Sequence, residues 1–296
     1  MNQIILSLGF GLVTASILAM GAVGFTLQFG VTNLFNLAYG ETMTVAAFVT
    51  YYTHVDMGWN FWLAMTAGAV GGMLLSYVIG RFIYMPFLHR GTSQFAMVMV
   101  TVAMSIILKN VMQIFSGATF YSFALGPEKP VHVLGMDFTP RQLAIMGIAV
   151  ACMLGLHLLF RYTRMGKAMR ATSDDSSLAR SVGIPTTRIV GLAWMASGLL
   201  AGLAGIALAM DLGTFDTNFG SSFLLIIVAA AVFGSVGEPY GAMVGALVIG
   251  IASELAAIIS PDLKNVVAFG LLVIVLLVRP QGLRSGRVQM RMDVAG

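Results

Sequence analysis

Apolar residues run along this chain in long uninterrupted blocks, not in the alternating or one-sided patterns of soluble elements. The blocks cover 4–27, 31–53, 61–80, 94–116, 142–160, 189–210, 222–236, 241–258 and 266–278. A helix crosses the hydrocarbon core of a bilayer with about 20 apolar residues. Most blocks meet that length, while 222–236 and 266–278 are short. The pattern predicts an all-α integral membrane protein, a polytopic helical bundle of about eight or nine transmembrane spans. No Lys or Arg precedes the first block, and its apolar run continues past a signal-peptide length, so it is expected to remain as the first helix.

Composition agrees with a bilayer as the solvent. Of 296 residues, 58% are hydrophobic and only 9% are charged, against roughly 25% charged in soluble domains. Mean hydropathy is +0.90. Disorder is excluded, because it requires low hydrophobicity and high charge. A disulfide scaffold is excluded by the single cysteine, Cys152.

The net charge of +4 is explained by where the bases lie. Arg81 and Arg90 flank one loop; Arg161, Arg164, Lys167, Arg170, Arg180 and Arg188 fill another; Arg279, Arg284, Arg287 and Arg291 follow the last block. These are twelve of the sixteen Lys and Arg, and the span order puts them on one face. Asp56, Glu128, Asp137, Asp211, Asp216 and Asp262 fall on the other. By the positive-inside rule the basic loops and C-terminus are cytoplasmic, and nine crossings put the N-terminus outside. The charge is topological bias, so no nucleic-acid partner is expected. The longest aqueous segments are 117–141 outside and 161–188 inside. With no soluble domain in the chain, any energy source is expected on another polypeptide.

Catalytic, cofactor and metal motifs are missing from the sequence. Gly166-Lys167 is followed by Ala168 and lacks the glycine-rich lead of a phosphate loop. His54, His89, His132 and His157 stand apart, without metal-ligand spacing. No nucleophile elbow is present. The prediction is no catalytic residue, no cofactor, no metal, and hence no enzyme.

Two groups of residues remain. In the basic loop, Ser173 or Asp174 is expected to cap a short helix through Leu178, Ala179 and Val182, ended by Gly183 and Pro185. Such a helix either lies on lipid or docks in a partner's groove. Within the spans, Glu41 is the costliest residue, since an acid at the bilayer centre costs about 2.5–3.5 kcal/mol and must face the bundle interior, water or a partner. With Gln28, Asn33 and Asn36 it forms either a polar patch on a solute pathway or a helix–helix hydrogen-bond network, and Gly40-Glu41 can start a helix after a break. Lys109, Asn110 and Gln113 read as snorkelling or pairing near a helix end. Gly68/Gly72, Gly198/Gly202 and Gly241/Gly245 are small-residue pairs for close helix packing. The short blocks 222–236 and 241–258, joined by Gly237-Glu238-Pro239-Tyr240, suggest a broken pair near the midplane, a frequent solute site in transporters.

These stretches resemble a known family. The loop with Ala179 and Gly183 is similar to the cytoplasmic loop of ABC-importer permeases, with Ser177 where a Glu often opens the motif. Arg161–Gly205, ending in Gly198-Leu-Leu-Ala-Gly202-Leu-Ala-Gly205, resembles the H-type permease of Liv (leucine, isoleucine, valine) transporters. So do Phe29-Gly30 with Asn36-Leu-Ala-Tyr-Gly40-Glu41, Arg81-Phe-Ile-Tyr-Met-Pro86, Met104-Ser-Ile-Ile-Leu-Lys-Asn110, Gly234-Ser-Val-Gly237, Tyr240-Gly241-Ala-Met-Val-Gly245 and Arg279-Pro-Gln-Gly282. Tyr39 replaces the family's usual His, and Ile226 stands where a Lys is common.

The resemblance implies a single transmembrane permease domain over 1–296, with a coupling loop at about 161–188, in a bacterial-type inner membrane. It would work in an ATP-driven importer of branched-chain or related amino acids, or of urea, short amides or another small solute. A homo-oligomeric channel or a secondary transporter without ATPases is the alternative from another class. Implied partners are a second homologous permease, two ATP-binding cassette subunits, which hydrolyse the ATP, an external solute-binding protein, a small amino acid and membrane lipid. Ser177, Leu178, Ala179, Gly183 and Ile184 would couple to the ATPase; Asn33, Asn36, Tyr39 and Glu41 would line the substrate pathway.

Overall fold

A computed structural model describes residues 2–126, 128–133 and 136–278. Arg279, Arg284, Arg287 and Arg291, the Arg279–Gly282 motif and Pro127 lie outside the described residues. In chain order the elements are α1 (Asn2–Thr32), α2 (Tyr39–Tyr51) with a π-helical turn Tyr52–Asp56, α3 (Phe61–Val78) with a π-helical turn Ile79–Tyr84, α4 (Met85–His89) and α5 (Gln94–Ser116). A hairpin of β1 (Val131–Val133) and β2 (Met136–Phe138) follows. Then come α6 (Pro140–Tyr162), α7 (Arg164–Asp174), α8 (Ser176–Ser181), α9 (Thr186–Leu212), α10 (Phe219–Gly234), α11 (Pro239–Ala256) and α12 (Leu263–Val278).

Each of the nine apolar blocks contains one main helix of an all-α polytopic bundle. Six are long and apolar enough to cross a membrane, among them α1, α9 and α11; α10 and α12 are shorter apolar helices. The helix ends follow local chemistry. Asn60 accepts a hydrogen bond from the Trp62 N–H and caps α3, and Thr139 with Gln142 forms a capping box at α6.

The core is built on α1 and α9. α1 packs along α11 and α9, α3 lies along α9, and α10 pairs with α11. The expected small-residue pairs make these contacts. A Cβ added at Gly198 would meet the Gly72 carbonyl oxygen at 2.6 Å, and one at Gly245 would meet the Ala230 carbonyl oxygen at 2.2 Å. Backbones therefore touch where no side chain fits. α5 stands apart: only Met97, Thr101, Leu108 and Ser116 are buried along its 23 residues.

Three differences from the sequence reading matter. The second block does not form one helix from residue 31. α1 continues to Thr32, Asn33 turns the chain in a left-handed conformation (φ 50°), and residues 33–38 are unwound before α2 starts at Tyr39. The 117–141 loop contains a two-stranded hairpin, where Val131 pairs with Phe138, because Val-His-Val and Met-Asp-Phe alternate apolar and polar positions. The α10–α11 turn is not near the midplane. A Cβ on Gly30, at the end of α1, would lie 3.3 Å from the Gly237 carbonyl oxygen and 3.2 Å from Ser173 Oγ, so this turn sits at the basic end beside the 161–188 loop.

The break near mid-depth is instead between α1 and α2. The Tyr39 hydroxyl donates to the Gly21 carbonyl at 2.9 Å, and Gly21 lies nine residues, or about 14 Å of helix, above Gly30. Residues 33–38 thus re-enter the bundle beside α1, with the Phe35 ring edge-on to Phe25 at 5.2 Å and to Phe29 at 6.4 Å.

Candidate functional site

An unwound segment inside a membrane bundle must find partners for its backbone within the protein. Neighbouring side chains supply them here. Asn36 Oδ1 accepts the Ala38 N–H at 3.0 Å and the Tyr84 hydroxyl at 3.2 Å, while Asn36 Nδ2 donates to Gln28 Oε1 at 3.4 Å. The Thr101 hydroxyl of α5 donates to the Phe35 carbonyl at 3.1 Å. Asn36 and Tyr39 are both buried, and their polar atoms hold the segment in place. Asn33 is exposed at its base, where its N–H bonds the Phe29 carbonyl at 2.7 Å and ends α1.

This scaffold delivers Glu41 in the first turn of α2. Glu41 is 1% exposed. Its Oε1 accepts the Ser105 hydroxyl of α5 at 3.1 Å, and its Oε2 has no hydrogen-bond partner. The start of α10 meets the start of α2: a Cβ on Gly40 would lie 2.6 Å from the Gly220 carbonyl oxygen. The backbones of α2 and α10 therefore touch beside the residue that carries the acid. Of the four expected pathway residues, Asn36, Tyr39 and Glu41 are buried but face different partners, Gln28 and Tyr84, Gly21, and Ser105 respectively, and Asn33 is exposed. Sequence reading missed Ser105, Tyr84 and Thr101 as partners; Ser105 was detectable as the residue one helical turn before Lys109.

The second site is the basic loop. Thr163 caps α7 by accepting the Gly166 N–H at 3.0 Å. The cap of α8 is Asp175, not Ser173 or Asp174. Asp175 Oδ1 accepts the Ser177 hydroxyl at 2.6 Å and the N–H groups of Ser177 and Leu178, each at 2.9 Å. The Ser177 hydroxyl first, then these two N–H groups, hold its carboxyl below the usual Asp range. Asp175 prevails because it is extended (φ −155°, ψ 105°), as a cap must be, while Ser173 and Asp174 belong to the last turn of α7. Ser173 takes a different role, its hydroxyl donating to the Gly30 carbonyl at 2.5 Å.

The expected coupling residues divide by exposure. Ala179 is buried, whereas Leu178 and Val182, one turn apart, are 61% and 70% exposed. Ser177 is exposed beside them on a shallow groove it shares with Ser176, Arg180 and Ser181. Gly183 (φ 86°) closes the helix by donating to the Arg180 carbonyl at 3.0 Å, and the Ile184 N–H bonds the Ala179 carbonyl at 3.0 Å. The outcome is a short helix with two apolar side chains exposed on one side.

Comparison with known proteins covers both sites. The sequence model of the family described as "Branched-chain amino acid transport system / permease component" matches residues 7–276. The "High-affinity branched-chain amino acid transport system permease protein LivH" of Escherichia coli (strain K12) is 31% identical over 290 residues, covering 92% of each chain. The corresponding LivM protein of Salmonella typhimurium is 26% identical over 292 residues, covering 88% of this chain and 66% of its own. Among solved structures, a chain of PsaBC from Streptococcus pneumoniae, in complex with Fab, superposes with a TM-score of 0.53 at 16% identity, covering 92% of this chain and 91% of that one.

Proposed function

The chain belongs to the branched-chain amino acid transport permease family, and from that premise we propose how its two sites work together. It is a membrane permease subunit of an amino-acid importer, a multi-span protein homologous to bacterial inner-membrane permeases. The solute is a branched-chain or closely related amino acid, moved into the cytoplasm. The basic loops face the cytoplasm, in keeping with the positive-inside rule. Two ATP-binding cassette subunits dock on 161–188 and hydrolyse the ATP; a second, LivM-like permease completes the membrane part; an external protein delivers the solute.

One observation carries the mechanism: α8 leaves Leu178 and Val182 exposed, while α7, immediately before it, is tied to the end of α1 through Ser173 and Gly30. ATPase movement felt at α8 passes through this tie to the base of the unwound segment. That segment carries Glu41, on the solute pathway; Asn36 and Tyr39 position it, and Asn33 is the turn on which it swings. For net work, the solute must bind the outward- and inward-facing states with different affinities.

The test is purification of the tagged chain from its host in mild detergent, with mass spectrometry of what accompanies it, together with uptake of labelled leucine. Two ATPase chains, a second permease and leucine uptake are expected. A homo-oligomer that transports without ATPases overturns the reading. A complete ATPase complex that takes up urea or short amides but not leucine overturns the solute assignment alone.

A further inference from the structure

Along α6 the exposed residues from mid-helix onward are Gly147, Val150, Ala151, Leu154, Gly155 and Leu158, a stripe with no polar member. α6 is long and apolar enough to cross a membrane, and an outward side of that composition suits hydrocarbon. The stripe runs into Arg161 and Tyr162, both exposed, with the Arg161 guanidinium 5.5 Å from the centre of the Tyr162 ring. A base and a tyrosine at the end of an apolar stripe are the side chains that settle at headgroup level.

α7 stays close to that level. Thr163 is extended (φ −96°, ψ 151°) and turns the chain. α7 then folds back on the end of α6, where a Cβ on Gly166 would lie 2.5 Å from Phe160 Cα. Gly166, Met169 and Thr172 form its buried side, and Arg164, Lys167 and Arg170 are exposed at every third position. Among the described residues the ion pairs are His132–Asp137, Arg141–Glu128 and Lys264–Glu254, so Arg161, Arg164, Lys167 and Arg170 have no carboxylate partner. Arg164 and Lys167 also stand in the first turn of α7, which carries no acid, although a helix disfavours bases there. A negative charge that offsets them lies outside the chain. α8 has a different surface: Leu178 and Val182 are apolar, and the acids Asp174 and Asp175 separate them from the basic row.

We infer that the row from Arg161 to Lys167 is a seat for the phosphate of an anionic phospholipid, whose acyl chains lie along the Val150, Leu154 and Leu158 stripe of α6. The two arginines fork onto phosphate oxygens and Lys167 adds a point charge. α8 keeps the ATPase contact. The bound lipid holds the start of α7 at the membrane surface, so movement of α8 is carried along α7 to Ser173 and Gly30 and is not lost in rocking of α7. The seat requires a chain that spans a membrane; it does not depend on which solute is carried.

The test uses the whole complex that accompanies the full chain, reconstituted in vesicles of phosphatidylcholine and phosphatidylglycerol in equal parts and released into native mass spectrometry. Lipid retention is read on this chain after its partners dissociate in the gas phase. The unsubstituted chain is expected to keep phosphatidylglycerol in preference to phosphatidylcholine. Removing bases with Arg161→Gln, Arg164→Gln and Lys167→Gln should weaken that retention by about fivefold for each and about a hundredfold together. Arg161→Lys with Arg164→Lys should keep most of it, since the charge remains. Where the triple variant does not insert, Lys167→Gln alone reads the same effect at about fivefold. No preference for phosphatidylglycerol in the unsubstituted chain overturns the seat, as does equal retention by the glutamine variants. Unchanged lipid with loss of the ATPase subunits assigns the row to the ATPase, and also overturns it. Absence of leucine uptake by the unsubstituted complex overturns the solute assignment and leaves the seat standing.

Discussion

The Ser173 hydroxyl donates to the Gly30 carbonyl at 2.5 Å, joining residues 143 positions apart in the chain. It ties the loop before α8 to the last turns of α1, immediately before the chain unwinds. Ser173→Ala should leave insertion and ATPase association intact while uptake falls by about fivefold, the effect of one hydrogen bond of about 1 kcal/mol. Uptake normalised to ATPase bound, measured in the same vesicles, checks this.

Leu178 and Val182 contribute little to the bundle, because they are mostly exposed. Leu178→Asp should therefore preserve expression and thermal stability and yet abolish co-purification of the ATPases. An intact complex bearing that substitution would remove α8 as the docking element. Gly183→Arg, at the left-handed residue that ends α8, should likewise leave the protein in the membrane and stop both association and uptake.

Asp175 caps α8 through its ionised carboxylate. Because its pKa is lowered on folding, the stabilisation is complete above the unfolded value of about 3.9 and is lost only as pH falls through the lower folded value. The cap is thus constant between about pH 5 and 8. Asp175→Asn, which caps about as well, should support near-normal uptake, whereas Asp175→Ala should weaken it several-fold, each with an unchanged pH profile over that range.

Gly198 faces Ser76, whose Cβ would lie 2.4 Å from an added methyl, while Gly155 on α6 has open space around it. Gly198→Val should lower stability in detergent by about 1–3 kcal/mol through overpacking. Gly155→Ala should be neutral or stabilising by up to about 1 kcal/mol. Thermal midpoints of the purified proteins separate the two.

The sequence reading succeeded where one-dimensional pattern decides structure. Apolar block length located nine of the twelve α-helices, and the glycine pairs located the α3–α9 and α10–α11 contacts. The polar cluster Asn36 to Glu41 suggested a helix starting after a break, and α2 does start at Tyr39. It failed where partners come from afar. Whether Asn36 faces solute or the Tyr84 hydroxyl depends on a residue 48 positions away. Ser173 was read as a cap because Ser favours caps, but only the assembled bundle brings Gly30 into its reach. The α10–α11 turn was placed too deep for the same reason: nothing in Gly237-Glu238-Pro239-Tyr240 reveals that it meets the end of α1.

The re-entrant stretch from Asn33 to Ala38 also constrains how the protein is made. Part of its polar backbone and its Asn36 side chain are satisfied by Tyr84 and Thr101, which leave the ribosome some 50 to 65 residues later. Until both arrive, the segment cannot rest in hydrocarbon without unpaired amides. α2, thirteen residues long in its α-helical part, is too short to enter the bilayer alone as a full span. Insertion of the first third of the chain is therefore a joint event: α1 waits at the membrane with an unfinished hairpin, and the arrival of α3 and α5 draws the half-helix to its depth.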